Sequence, residues 1–167
     1  PNYFDSVGHK TGSGIWLHSI PETKSLIRGS RGCVVVRNEV IQKVSDYVTL
    51  KKTPIIILST ATYLTAEEFA AQKTALLTWV EGWRKSWEAK DVSSYMTYYS
   101  ESFRALGMDR DHWRKYKEAL NAKYKSIAVK ISSPMVLVQQ DRAIVRFIQA
   151  YRSDKKEDVG EKFLYLG

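Results

Sequence analysis

Apolar residues change their spacing along this chain near residue 60. Before that point they come in short runs, "GIWLHSI" (Gly14 to Ile20), "GCVVVR" (Gly32 to Arg37) and "TPIIILS" (Thr53 to Ser59). Runs of this length, rich in β-branched residues and bounded by Gly, Pro or polar residues, predict strands. The last is continuous and predicts a buried strand that closes the unit. Between the second and third, Asn38 stands where an N-cap belongs, and Val40, Ile41, Val44, Tyr47 and Val48 recur on one side of a helix reaching about Val48.

Beyond residue 60 the period lengthens. "TAEE" pairs Thr65 with Glu68 as a capping box and opens a helix to about Glu88. Leu76, Trp79, Val80, Trp83 and Trp87 fall on one face of it, a core stripe in preference to a ligand-stacking surface. Asp91 caps a shorter helix bearing Tyr95, Tyr98 and Tyr99, and Asp109 or Asp111 starts a third that runs through about Tyr124. Strands follow at Ser126 to Ser132, Met135 to Gln139 and Arg142 to Tyr151, with "QQDR" turning between the last two. "SDKKEDVG" is then a charged loop before a final strand at Lys162. The pattern predicts an α+β chain in two parts. Residues 1–60 are β-rich with one helix, residues 61–65 form a hinge, and residues 66–167 place three helices before an antiparallel meander.

Composition narrows the function classes. A net charge of +8 favours an anionic partner. The excess is even, with 8 basic and 4 acidic residues before Ala66 and 18 and 14 after it, so no single-sign stripe argues for nucleic acid. No apolar run approaches the ~20 residues of a membrane span. The single cysteine excludes an intrachain disulfide. No cluster has metal-ligand spacing, and "GSRGC" lacks the Lys-Ser/Thr ending of a phosphate loop, so neither metal nor cofactor is expected.

The single cysteine is the candidate for chemistry. Cys33 reads either as a small buried hydrophobe or as a presented nucleophile. Gly29 and Gly32 permit a tight turn, Arg28 and Arg31 supply positive potential, and the backbone N–H groups of Arg31, Gly32 and Cys33 suit an oxyanion hole. A thiol nucleophile needs a base, and His18, at the end of "IWLH", is within reach by a strand–loop–strand path. His18 reads equally as a hydrogen-bonded core residue. His9, in a Gly-rich loop, and His112, in the second unit, are weaker candidates.

"IWLHSIPE", "IRGSRGCVVVRNEVI" and "TPIIIL" together resemble the YkuD-type L,D-transpeptidase catalytic domain over Pro1 to about Ser59, the C-terminal half of such a domain. Ser30-Arg31-Gly32-Cys33 and Asn38 match that family's Ser/Thr-x-Gly-Cys motif and following Asn, with His18 as its upstream histidine. Many members carry His where Arg31 stands and Gly where Ser19 stands. "WVEGWRKSWEAKDVSSYMTYYSESF" with "VRFIQAYRS" resembles an NTF2-like (SnoaL-like) cone. The two in this order resemble the periplasmic L,D-carboxypeptidases that trim peptidoglycan tetrapeptides in helical bacteria.

The resemblance implies a partial β-sandwich followed by a cone. It implies acyl transfer through a thioester, with Cys33 as nucleophile, His18 as base, and Gly32 with Cys33 donating to the oxyanion. Arg31 and Arg28 pair with a substrate carboxylate or are solvated surface charges. Ser30 supports the turn or meets substrate, and Asn38 caps the helix. Implied partners are peptidoglycan tetrapeptides, with a second ligand or protein for the NTF2-like pocket. A transpeptidase outcome and a non-enzymatic binding module stay open beside the carboxypeptidase reading. Sheet partners are expected upstream of Pro1, and residues 1–167 alone are expected to show weak or no peptidase activity.

Overall fold

In the computed structural model, residues 2–25, 30, 32–50, 52–58 and 60–167 are described, and the chain divides into two units, Pro1–Thr62 and Tyr63–Gly167. The first unit opens with a short helix the apolar pattern does not announce, α1 (Tyr3–Val7). A capping box starts it. The Asn2 side chain accepts from the Asp5 N–H, and the Asp5 carboxylate accepts from the Asn2 N–H.

Strands β1 (Leu17–Ile20) and β2 (Val34–Arg37) pair in parallel, Leu17 opposite Val34 through Ile20 opposite Arg37. Parallel neighbours cannot be joined by a tight turn, so the chain leaves β1 at Pro21 on a crossover. Arg37 gathers the start of that crossover. Its guanidinium donates to the carbonyls of Pro21 at 3.1 Å and Lys24 at 2.6 Å, and lies 3.6 Å from the Glu22 carboxylate.

Helix α2 (Asn38–Ser45) follows β2 directly and packs on both strands. Arg37, with no side-chain cap bond, occupies the cap position, and Asn38 is the first helical residue. The helix stops at Ser45, short of Val48, and leaves Tyr47 85% exposed.

The buried strand expected at Thr53 to Ser59 does not form. Residues 54–58 adopt no regular structure, with Ile55, Ile56 and Ile57 all more than half exposed; Ser59 lies outside the described residues. A strand requires a neighbouring backbone to take its N–H and C=O groups, and among the described residues none pairs with this run. Among the described residues its β propensity has no partner strand to act on.

The second unit follows its local signals closely. Helix α3 (Ala66–Glu88) carries the Thr65–Glu68 capping box, and Asp91 caps α4 (Val92–Met96). A small hairpin, β3 (Arg104–Ala105) and β4 (Met108–Asp109), was not anticipated. Leu106 and Gly107, both at positive φ, make its two-residue turn. Asp109 then caps α5 (Arg110–Lys123) by accepting from the His112 N–H at 2.9 Å.

Strands β5 (Ile127–Gln139), β6 (Arg142–Ser153) and β7 (Glu157–Leu166) form an antiparallel sheet in that order. The two strands expected at Ser126 to Ser132 and Met135 to Gln139 are one strand with a bulge. The pairing skips between Ser132 and Met135, where Ser133 takes a φ of 52° and Pro134 offers no N–H to a ladder. The charged loop also contracts. Ser153 accepts from the N–H groups of Lys155 and Lys156, which closes the turn and starts β7 at Glu157 instead of Lys162.

Val80 and Trp83 of α3 and Tyr95 and Met96 of α4 meet Val136, Val145 and Phe147 of the sheet, with Leu76, Trp79 and Trp87 packed around them. The aromatic stripe is therefore core. Glu88 accepts from the Val129 N–H at 2.7 Å and Arg84 donates to the Val129 carbonyl at 2.9 Å. These two side chains, ion-paired with each other, stand in for a further strand at the β5 edge.

Candidate active site

Parallel pairing sets which side chains share a face. His18 is opposite Val35, and Cys33 lies two residues before Val35, so strand alternation puts Cys33 and His18 on one side of the β1–β2 ribbon. The Val34 N–H donates to the Trp16 carbonyl at 2.9 Å, the hydrogen bond that sets Leu17 opposite Val34 at the start of the ladder. Carried back past the strand ends, the same register sets Ile15 beside Gly32, where a Cβ would lie 3.7 Å from the Ile15 side chain, and Trp16 level with Cys33, with His18 one step further along.

Backbone carbonyls orient both groups. His18 Nδ1 lies 3.3 Å from the Ser19 carbonyl, which can only accept, so this nitrogen carries the proton and leaves Nε2 as the acceptor. Cys33, half-buried, has its Sγ 3.9 Å from the Gly14 carbonyl. Gly14 at φ 65° turns that carbonyl inward, a conformation L-residues with side chains adopt only with strain.

Gly32 sits at φ 103°, a region open to glycine alone without strain, and so fixes how the Cys33 N–H is presented. Ser30 donates from its hydroxyl to the Cys33 carbonyl at 2.6 Å, which uses that group inside the turn. Arg28 and Arg31 lie outside the described residues. Sequence reasoning missed Gly14, Trp16 and the Ser19 carbonyl. The alternation of "GIWLH" against "GCV" carried the signal, but only a known register makes it usable.

The second unit holds a different concentration of polar chemistry. Lys117 of α5 is buried, with its ammonium 4.1 Å from the Trp87 ring centre, 4.8 Å from Trp113 and 5.2 Å from Tyr95. Burial alone lowers its pKa from 10.5 to about 8. Trp83 Nε1 donates to the Tyr99 hydroxyl at 2.9 Å, and Tyr99 donates to Tyr95. Burial raises the pKa of both tyrosines. Trp113 Nε1 is buried and faces these hydroxyls outside hydrogen-bond geometry, leaving it without a partner. Among the described residues no three His, Cys, Asp or Glu side chains cluster as metal ligands, and no helix is long and apolar enough to cross a membrane.

Comparison with known proteins adds two domain assignments. The Cds6 C-terminal NTF2-like domain family matches residues 75–167, and the L,D-transpeptidase catalytic domain (YkuD) matches residues 2–57. Bd1075 of Bdellovibrio bacteriovorus is 45% identical and superposes with a TM-score of 0.88, aligning all of this chain with 63% of its own length. The helical cell shape determining protein Pgp2 of Campylobacter jejuni shares the fold at 24% identity and a TM-score of 0.77, over 99% of this chain and 60% of its own. The chain thus spans less than two thirds of these relatives' length. No curated protein matches it.

Proposed function

The chain belongs to the Cds6 C-terminal NTF2-like domain family through residues 75–167, and from that premise, with the YkuD match over residues 2–57, we propose that it acts as a cysteine-dependent peptidoglycan L,D-carboxypeptidase in the bacterial periplasm. The observation that carries this reading is the shared face of Cys33 and His18, with His18 Nδ1 held at the Ser19 carbonyl so that Nε2 is the base.

In the proposed reaction, Nε2 takes the thiol proton and Sγ attacks the carbonyl joining diaminopimelate to the terminal D-Ala. The N–H groups of Gly32 and Cys33 receive the oxyanion. The tetrahedral species collapses to a thioester as His18 returns the proton to the departing D-Ala amine. Water, deprotonated by His18, then releases the shortened peptide and restores the thiol. Arg31 and Arg28 are assigned to a substrate carboxylate, whose geometry a guanidinium fork matches, and Ser30 to the turn and to substrate. An amine in place of water gives the transpeptidase outcome.

The test is D-Ala release from disaccharide tetrapeptide by the full-length protein, resolved by mass. Cys33→Ala and His18→Ala are expected to abolish release and leave the thermal transition in place. An active alanine variant at Cys33 overturns the assignment.

One observation favours a second role beside it. In the second unit the Lys117 ammonium sits against the rings of Trp87, Trp113 and Tyr95, and the buried Trp113 N–H has no hydrogen-bond partner among the described residues. This supports the second unit as a recognition module for an anionic group, whether or not the first unit is catalytic.

A further inference from the structure

Trp16 is the sole tryptophan of residues 1–62, and it is 69% exposed. A large aromatic left on the surface carries recognition more often than stability, because its rigid amphipathic ring offers much contact area at little entropic cost. Its position gives that surface a use. Carried one residue back from Leu17 and Val34, the register of β1 and β2 sets Trp16 beside Cys33 and on the face that bears His18. Its indole runs back along the chain: a Cβ built on Gly14 would lie 3.8 Å from Trp16 Nε1. Gly14 is also the residue whose carbonyl meets the Cys33 thiol. By register the indole, thiol and imidazole fall on one face, with the thiol at the Gly14 carbonyl and the indole nitrogen on the side of Gly14 where a Cβ would stand.

A substrate carbonyl attacked by Cys33 must come within about 3–3.5 Å of Sγ, so the groups on either side of the scissile bond lie over this face. Their order follows from proton transfer. His18 has to reach the departing amine, which puts the leaving group over the His18 end of the ribbon. The part of the substrate that stays on sulfur then extends over the Trp16 end.

We propose that Trp16 is a substrate-binding residue of the Cys33 site, its indole forming the apolar wall against which the aliphatic side chain of the acyl-donating residue packs. The assignment rests on the acyl-transfer reading above and adds to it the determinant of acyl-donor specificity. It commits Trp16 to ground-state contact and gives it no part in moving protons.

The experiment uses the full-length protein with Trp16→Ala and Trp16→Phe, on two substrates. One is the tetrapeptide; the other has alanine in place of diaminopimelate, which removes the aliphatic stem. Trp16→Ala is expected to raise KM for the tetrapeptide about tenfold with kcat nearly unchanged, the size of effect that losing an apolar contact produces. On the stem-less substrate wild type and variant are expected to coincide, and Trp16→Phe to fall between them on the tetrapeptide.

Binding is read separately. In the Cys33→Ala background, tetrapeptide should shift the tryptophan emission to shorter wavelength, and Trp16→Phe should remove that shift. Equal losses on both substrates, an unchanged KM, or a Trp16 shielded from acrylamide without ligand each overturn the proposal. Wild-type protein that releases no D-Ala overturns the function proposed above instead, and Trp16 then stands or falls on the emission shift alone.

Discussion

Lys117→Met removes a charge that the fold holds at a cost. Burial lowers the pKa of Lys117 from 10.5 to about 8, which corresponds to roughly 3 kcal/mol by which the site disfavours the ammonium relative to the neutral amine. The rings of Trp87, Trp113 and Tyr95 attract the cation and offset about 1 kcal/mol of this. Methionine keeps the unbranched stem and carries no charge. The variant is therefore expected to be about 2 kcal/mol more stable than wild type at pH 7.

The pH dependence gives the sharper signature. A folded-state pKa below the unfolded one means that the unfolded chain holds more protons between pH 8 and 10.5. Wild-type stability rises with pH across that window, and the variant lacks the rise. The gap between the two proteins should be widest below pH 8 and close toward pH 10.5. Tyr95 and Tyr99, whose pKa values burial raises, titrate alike in both proteins and cancel in the difference. Urea unfolding followed by tryptophan emission at pH 7, 8, 9 and 10 measures it. A gap that stays constant with pH, or a methionine variant less stable than wild type at pH 7, would refute the reasoning.

Two further substitutions test close contacts. Gly82→Ala builds a Cβ into the Tyr98 hydroxyl, and Tyr98 is held edge-on against Trp79. Overpacking of about 1–3 kcal/mol exceeds the roughly 1 kcal/mol gained in helix propensity, so thermal unfolding should shift down, and adding Tyr98→Phe should restore most of the loss. Gly32→Ala places a Cβ at φ 103°, at a strain of about 1–3 kcal/mol that the turn relieves by moving. D-Ala release by the full-length protein should fall at least about tenfold as the Cys33 N–H leaves its place, while Cys33 still reacts with a small alkylating agent.

The sequence by itself determined whatever rests on residues three or four apart. Thr65 and Glu68 cap α3 because each reaches the other's backbone, whatever surrounds them. The spacing of Leu76, Trp79, Val80, Trp83 and Trp87 is a property of one helix, and the face it defines is the face that packs on Val136, Val145 and Phe147. Asn2 and Asp5 carry the same kind of local signal for α1, which the apolar pattern does not announce and the reading of the sequence left out.

Tertiary structure decided what depends on a partner far along the chain. "TPIIIL" has strong β propensity, yet it forms a strand only where another backbone takes its hydrogen bonds, and no described segment does so. The bulge at Ser133 is set by β6, which pairs with both halves of β5. The candidate site divides in the same way. Cys33, Gly32 and His18 were visible as residue types in order, but their common face, and the place of Trp16 beside the thiol, came from a parallel register that no short window of sequence encodes. Lys117 is one exposed-looking lysine among 26 basic residues until α3, α4 and α5 close three rings around it. Local hydrogen bonds and periodicity are short-range and can be read directly, whereas burial, register and electrostatic environment are sums over neighbours that only the folded chain supplies.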